Sequence, residues 1–331
     1  MWPKVYFDAH EPPGMDVLVT GGHGALGTYV VDELLNRGHL PTVFDRMDDP
    51  DRRADVGYDY IEGDITDPEL IETAAVDHDV IIHLAALKRP ACEADPRLAT
   101  QVNVEGTINV FDAAVSADAT VVQVSSKSVF GHITGDYAYP TYRPLDEGAP
   151  KAQTGDIYGL TKAATEAYRE SYVTKHGLNA ASFRFASSFG PGKVAVPGKG
   201  MLVPSMIEGV ARGKSVRVSG GDELNDWIYF ADIANGLVDA ATAGEFTYPV
   251  YHIGTGRAES LRDFASVLEE AFPDADIDVA GGRNPQEQDR PMYARLDISR
   301  ARADFDYYPR YTLRTAIAAY LDRLGYEHDL G

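Results

Sequence analysis

The 331-residue chain is predicted to be an α/β protein, a Rossmann-type, doubly wound parallel sheet with a smaller C-terminal capping region. Three observations predict this. Short apolar runs alternate with helical patterns from Asp16 to Phe185. A glycine cluster interrupts the first strand-to-helix passage, at Thr20–Gly27. Apolar residues at 44% and charged residues at 24% match a globular protein.

Taken in order, residues 1–14, with Pro3, Pro12, Pro13 and Gly14, read as an N-terminal extension. Asp16-Val17-Leu18-Val19-Thr20 is a compact apolar run closed by glycines, the mark of a buried strand. A helical pattern from Ala25 to Asn36 and Arg37 stops at Gly38, and Leu40–Phe44 is a strand closed by Asp45. Tyr60–Gly63 is a weak strand, Pro68 sits near a helix start, and Val80–Leu84 is a strong strand. Then come a long helix around Leu98–Ala114, a strand at Thr120–Val124, a long helix around Tyr158–His176 and a strand at Ala180–Phe185. Beyond Ser187 the order loosens into Gly- and Pro-containing segments. Residues 15–186 are thus expected to form the dinucleotide-binding domain, with roughly 226–256 returning to it. Residues 187–331 form mainly the capping region.

Fifty-one acids against thirty bases leave a net charge of −21, which argues against nucleic acid or an anionic membrane as partner. Asp (33) outnumbers Glu (18), and Arg (21) outnumbers Lys (9). Short carboxylates with few lysines suit a halophilic protein, whose self-repulsion is screened where the Debye length falls to ~3 Å in 1 M salt. The alternative is an ordinary acidic cytosolic protein. One cysteine, Cys92, excludes an intrachain disulfide or a cysteine-rich zinc site, and no metal site is expected. With no apolar run of ~18 residues and no secretory pattern, a cytoplasmic location is expected.

The glycine cluster satisfies both G-x-G-x-x-G (Gly22, Gly24, Gly27) and G-x-x-G-x-x-G (Gly21, Gly24, Gly27). Glycines there permit a tight turn and close approach of a pyrophosphate to the N-terminus of the following helix. Gly21, His23, Gly24, Ala25, Leu26 and Gly27 are therefore candidate cofactor contacts. Asp45, ending the second strand, suits the adenosine ribose hydroxyls and favours NAD. Arg46 leaves NADP open, because an arginine can pair with its 2′-phosphate. Asp64 and Ile65 stand where an adenine contact is expected.

Tyr158 and Lys162 lie at i and i+4, on one helix face. A tyrosine with a pKa near ~10 is a poor base at neutral pH, and a neighbouring ammonium lowers that value. The pair can then take a proton from an alcohol while hydride leaves the same carbon for nicotinamide. Ser125 and Ser126 end the strand before them, at the carboxyl edge where open α/β sheets bind ligands, and offer a hydroxyl to the reacting oxygen.

Together the glycine motif, His83-Leu84-Ala85-Ala86, Asn103-Val104-Glu105-Gly106-Thr107, Ser125-Ser126 and Tyr158/Lys162 resemble the extended short-chain dehydrogenase/reductase family of NAD-dependent sugar epimerases and dehydratases. Trp227–Ala234 and Tyr251–Gly256 extend the likeness over nearly the whole chain from Met15. The resemblance implies Tyr158 as base and Lys162 as ribose anchor and pKa modifier. Ser126 polarises the substrate oxygen, since the family's catalytic hydroxyl lies three residues before the valine that here is Val129. Leu84, Ala85, Ala86, Lys88, Asn103, Tyr158, Lys162 and Phe185 would line the cofactor side. A homodimer or homotetramer built on the two long helices is implied as well.

Departures from the family pattern set the expected substrate. Family dehydratases carry Asp-Glu after the catalytic hydroxyl for elimination of water, and this chain has Lys127-Ser128. Ser187 and Asn225 replace the Asn and Arg with which nucleotide-sugar epimerases commonly hold the diphosphate. These features resemble the aldose and uronate dehydrogenases, so the expected activity is NAD-dependent oxidation of a free aldose, or a uronic acid, at the anomeric carbon to a lactone. Ser126, Lys127, Ser128, Ser187, Ser188 and Phe189 would face the sugar, and Lys127 could pair with a uronate or with a nearby acid. The alternative is a nucleotide-diphosphate-sugar 4-epimerase that retains NAD, with Arg283, Arg290, Arg295, Lys193 and Lys199 available to grip the diphosphate. A catalytically silent NAD-sensing scaffold is disfavoured by the intact Ser126, Tyr158 and Lys162.

Overall fold

The computed structural model describes residues 14–152, 155–192 and 202–330. The first half runs β1 (Asp16–Thr20), α1 (Gly27–Asn36), β2 (Leu40–Asp45), α2 (Pro50–Val56), β3 (Asp59–Glu62), α3 (Pro68–Ala75), β4 (Val80–His83), α4 (Arg89–Ala94) and α5 (Pro96–Thr100). A π-helical turn (Gln101–Glu105) leads to α6 (Gly106–Ala117), β5 (Thr120–Ser126), α7 (Ile157–His176) and β6 (Ala180–Phe185). The remainder contributes β7 (Ser187–Phe189), α8 (Leu202–Ala211), β8 (Val216–Val218), β9 (Trp227–Tyr229) and α9 (Phe230–Thr242). It ends with β10 (Val250–Ile253), α10 (Leu261–Ala271), β11 (Ile277–Val279), α11 (Ser299–Phe305) and α12 (Leu313–Arg323).

Seven strands form one parallel sheet in the order β10-β6-β5-β4-β1-β2-β3. Successive side chains of β1 enter opposite layers, as strand geometry requires. Val17 and Val19 join the layer of Val30, Leu34 and Leu237, while Leu18 joins Ile81, Val110 and Phe111 on the other side. Burial on both faces is why these strands read as unbroken apolar runs. The chain leaves β1 toward β2 on one side and reaches β4 on the other, so a crevice opens beyond their carboxyl ends, where doubly wound sheets take ligands.

The helix expected over 98–114 is two helices joined by the π turn, and α2 and α4 are additional to the expected elements. In the later segment, β10 joins the main sheet beside β6 and α9 packs on α1, tied by Arg37 Nη1 to Asp239 at 2.6 Å. Its strand β9 instead pairs with β7 in a small separate sheet. Among the described residues, no helix is long and apolar enough to cross a membrane.

Candidate active site

The glycine loop is shaped so that side chains are excluded. Gly21 has φ +74°, and a Cβ there would stand 2.8 Å from the Ala85 amide nitrogen. A Cβ on Gly27 would meet the Gly21 carbonyl oxygen at 2.4 Å, so the helix start closes directly over the loop. No side chain caps α1, and because Thr28 N and Tyr29 N bond back to Gly24 O (3.1 Å) and Leu26 O (3.0 Å), the amides of Ala25, Leu26 and Gly27 are those left for an anion. Asp45 ends β2 beside this cradle, its carboxylate accepting from the amides of His23 (3.1 Å) and Met47 (3.3 Å). A tight cradle at a helix start with a carboxylate at its rim fits the pyrophosphate and ribose of a dinucleotide.

Other predicted cofactor residues divide. Leu84, Ala85 and Ala86 follow β4 and lie half-buried alongside Gly21. The His23 ring turns to Tyr58 Oη (2.9 Å) and stacks on Tyr60, so only its backbone belongs to the loop. Ile65 is buried in the core against Gly106, leaving its backbone alone for a contact. Arg46 pairs with Asp64 at 3.4 Å. Burial raises the Asp64 carboxyl, but hydrogen bonds from Thr66 and Arg46 outweigh it and hold it below the usual range. Lys88 is exposed at the start of α4, and Phe185 is buried at the end of β6.

Asn103, in the π turn, does not point to open solvent. Its side chain accepts from Leu87 N (2.7 Å) and donates to Leu87 O (3.1 Å) and Thr161 Oγ1 (3.1 Å). It therefore ties the loop after β4 to α7. Beneath it, Thr107 Oγ1 donates to Asn103 O (2.7 Å), so His83 Nε2 donates to Thr107 and Nδ1 accepts from Thr20. Burial, with Lys162 nearby, pushes His83 down to about 3, so it stays neutral.

The groups expected to react meet where β5 and α7 converge. Ser126 ends β5, and its hydroxyl donates to Ser128 Oγ while accepting from Ser128 N, both at 3.1 Å. Asp156 caps α7 through Gly159 N at 2.7 Å and so fixes the first turn, which carries Tyr158. One turn on, Lys162 Nζ donates to Val124 O at 2.8 Å and lies 6.0 Å from the Tyr158 ring centre. Burial pushes the phenol up to about 12, and what opposes the rise is the Arg89 charge and a hydrogen bond with Ser126 rather than the expected Lys162 ammonium. Burial also draws Lys162 down to about 8.

Beside these groups a cleft of about 360 Å³ is lined by Arg89, Asp156, Arg290 and Met292, among others. That volume lies in the ~300–1,000 Å³ range of small-molecule sites. Arg89 reaches Ser128 Oγ (3.0 Å) and Asp156 (3.3 Å), linking the cleft to the Ser126 hydroxyl. Lys127 is buried and donates to Asn225 Oδ1 at 2.7 Å, and is not the exposed cation of a surface ion pair. Ser187 and Ser188 lie half-buried in β7, but Phe189 is 1% exposed and packs on Tyr229 and Phe264. Its expected sugar contact gives way to core packing against those two rings. Of the expected diphosphate cations, Arg290 lines the cleft and Arg283 lies over the Tyr139 ring, while Lys193 and Lys199 fall outside the described residues. Among the described residues, no cluster could hold a metal ion.

Sequence reasoning missed Arg89, Asp156 and the buried pair behind the site, Glu166 and Arg184. Arg184 Nε and Nη2 each donate to Glu166 at 2.7 Å, and Ser125 Oγ donates to the same carboxylate at 2.7 Å. The one available signal was spacing: Glu166 lies four residues beyond Lys162 and eight beyond Tyr158.

Comparison with known proteins places these features in context. A family model, NAD dependent epimerase/dehydratase family, matches residues 17–254. The chain is 32% identical to the low-salt glycan biosynthesis protein Agl12 of Haloferax volcanii over 275 residues, 77% of this chain and 82% of that one. It is 29% identical to a dTDP-glucose 4,6-dehydratase of an Actinoplanes species, covering 92% and 96% respectively. The solved UDP-N-acetylglucosamine 4-epimerase of Methanobrevibacter ruminantium M1, in complex with UDP-N-acetylmuramic acid, shares the fold with a TM-score of 0.80. That match covers 94% of this chain and all of the other at 22% identity.

Proposed function

The chain belongs to the NAD dependent epimerase/dehydratase family, and from that premise we propose that it is a nucleotide-diphosphate-sugar 4-epimerase. Relatives named for nucleotide sugars, dehydratases and epimerases both, favour this alternative over the free-sugar dehydrogenase expected from the departures in sequence. The carrying observation is that Ser126, Tyr158 and Lys162 stand together beside a cleft with Arg89 and Arg290 on its wall. Directly after Ser126 come Lys127 and Ser128, so the paired carboxylates of an eliminating enzyme are missing at those positions.

The glycine loop and Asp45 would hold NAD, which supplies a hydride acceptor at the sugar carbon and a positive charge beside the phenol. Tyr158 takes the hydroxyl proton, and Lys162 holds a positive charge within 6.0 Å of its ring to stabilise the phenolate. Ser126 donates to the reacting oxygen, which gains negative charge as its proton leaves. Without an acid and base after Ser126 to expel water, the route open to the oxidised sugar is reduction from its other face, with Tyr158 returning the proton. A cytoplasmic homodimer or homotetramer belongs to the same proposal. Leu160 and Tyr168 on α7, with Val115 on α6, are exposed apolar residues that such an interface would cover.

The test uses purified protein with NAD in molar KCl, monitored at 340 nm and by chromatography of the sugars. The proposal expects UDP- or dTDP-linked hexoses to interconvert at C4 without net NADH. Stoichiometric NADH from a free aldose would replace it with the dehydrogenase.

A further inference from the structure

We propose that Lys127, Asn225 and Arg89 together read a carboxylate at C6 of the sugar, so that the substrate is a nucleoside-diphosphate uronate. This rests on the 4-epimerase reading for the position of the ring, and on three local observations for its charge.

Lys127 follows Ser126 directly, is 8% exposed, and has one hydrogen-bond partner among the described residues, Asn225 Oδ1 at 2.7 Å. An ammonium carries three donors, so two remain unused. The carboxylate whose charge acts on it is Asp226, but its oxygens already accept from Thr255 N (2.9 Å), Thr255 Oγ1 (2.8 Å), Gly256 N (3.1 Å) and Leu296 N (3.3 Å). Burial holds Lys127 down at about 7, with Asp226 opposing that and Arg89 adding to it.

Asn225 is 1% exposed, and its Nδ2 has no partner. Its orientation is fixed, because Oδ1 accepts from both Lys127 and Ala294 N (3.3 Å), and flipping the amide would lose both bonds. An unpaired buried donor is unfavourable and calls for an acceptor. Arg89 shows the same feature: Nη2 is engaged by Ser128 and Asp156, but Nε is buried without a partner. Two cations and an amide thus bring unused donors to the neighbourhood of one catalytic hydroxyl.

The chemistry of the ring says what they face. If Ser126 and Tyr158 hold the oxygen on C4, the anomeric diphosphate leaves from C1, across the ring, and is not what these donors meet. The neighbours of C4 are C3 and C5, and a hexose without added acidic substituents can carry a negative charge there only at C6, on C5, as a carboxylate. A neutral hydroxymethyl group would leave Lys127 without a counter-charge bonded to it, whereas Arg89 keeps its pair with Asp156. A carboxylate accepts from several donors at once and forms the stronger charge-assisted bonds.

The experiment compares UDP-glucuronate with UDP-glucose, and the corresponding dTDP pair, on full-length NAD-loaded protein. Expected is a kcat/KM ratio favouring the uronate by at least about 30-fold, the worth of one charge-assisted hydrogen bond. Lys127→Met, which keeps the apolar stem, should bring that ratio close to one. A wild-type ratio near one, or a ratio unchanged in Lys127→Met, overturns the proposal. Should the variant fail to fold, the wild-type ratio alone decides. If no nucleotide sugar turns over, affinity for NAD-loaded Tyr158→Phe protein separates the two readings. Tighter uronate binding supports the carboxylate pocket while removing the epimerase, and binding of neither sugar removes both.

Discussion

Replacing Glu166 by Gln keeps the size of the side chain and removes its charge. In the folded protein that carboxylate accepts two bonds from Arg184 and one from Ser125, and the side chains of Glu166 and Arg184 are only 6% and 2% exposed. An amide offers one acceptor and turns its NH₂ toward donors, stranding a buried guanidinium. Breaking one side of such a pair costs about 3–5 kcal/mol, because the surviving charge stays out of water. Lys151, whose own side chain is 42% exposed, adds little to that figure. Urea denaturation of Glu166→Gln should therefore show a loss of about 3 kcal/mol at unchanged m-value, within the ~5–15 kcal/mol of a typical domain. The pH dependence gives a second readout. Burial raises the Glu166 carboxyl, but Arg184, Lys151 and Ser125 together hold it below its ordinary 4.5. A lowered folded-state value means that the stabilisation is complete above 4.5 and is lost as pH falls through the folded-state value. The gap between wild type and variant should therefore narrow on acidification through that window. A loss under about 1 kcal/mol, or a gap independent of pH there, would refute the view that this pair is desolvated and charged.

Tyr158→Phe should lower kcat by about 10²–10⁴-fold while NAD affinity, followed by fluorescence, stays nearly intact. Substantial residual turnover would remove Tyr158 as the base. Asp45→Ala should weaken NAD about tenfold and narrow its advantage over NADP, since one charge-assisted contact to the ribose is lost. An unchanged cofactor ratio in a binding titration would show that Asp45 does not read the ribose. With 51 acids against 30 bases, the melting temperature should climb between 0.1 and 2 M KCl as self-repulsion is screened. A flat or falling calorimetric trend would count against the halophilic reading.

The strands β1, β4, β5 and β6 were visible in the sequence because burial on both faces leaves a continuous apolar run that few other structures produce. The break in the helix over 98–114 was not. Helical periodicity continues through Gln101–Glu105, and the π turn serves a tertiary purpose, presenting Asn103 to Leu87 and Thr161, segments far away in the chain. The small sheets β7–β9 and β8–β11 were equally hidden, since three-residue strands are too short to show a period of two.

The site divides along the same physical line. The glycine loop and the Tyr158/Lys162 spacing are local, so the chemistry is written in neighbouring letters. Locality also misleads: Ile65 and Phe189 lie beside plausible contacts in sequence, yet the structure turns both side chains into the core. The cluster of donors next to Ser126 could not be read linearly. Arg89 comes from the start of α4, Lys127 from the end of β5, and Asn225 from just before β9, and only folding brings them together. Lys127 shows why composition says so little about a site. Against a net charge of −21 it looks like one more cation with an acid to pair with. Folding instead buries it at 8% exposure against a neutral amide, with Asp226, the carboxylate whose charge acts on it, already satisfied by four donors. In the low dielectric there, the ammonium interacts with the buried Asp226 and the neighbouring guanidinium far more strongly than with the solvated carboxylates that make up the net charge.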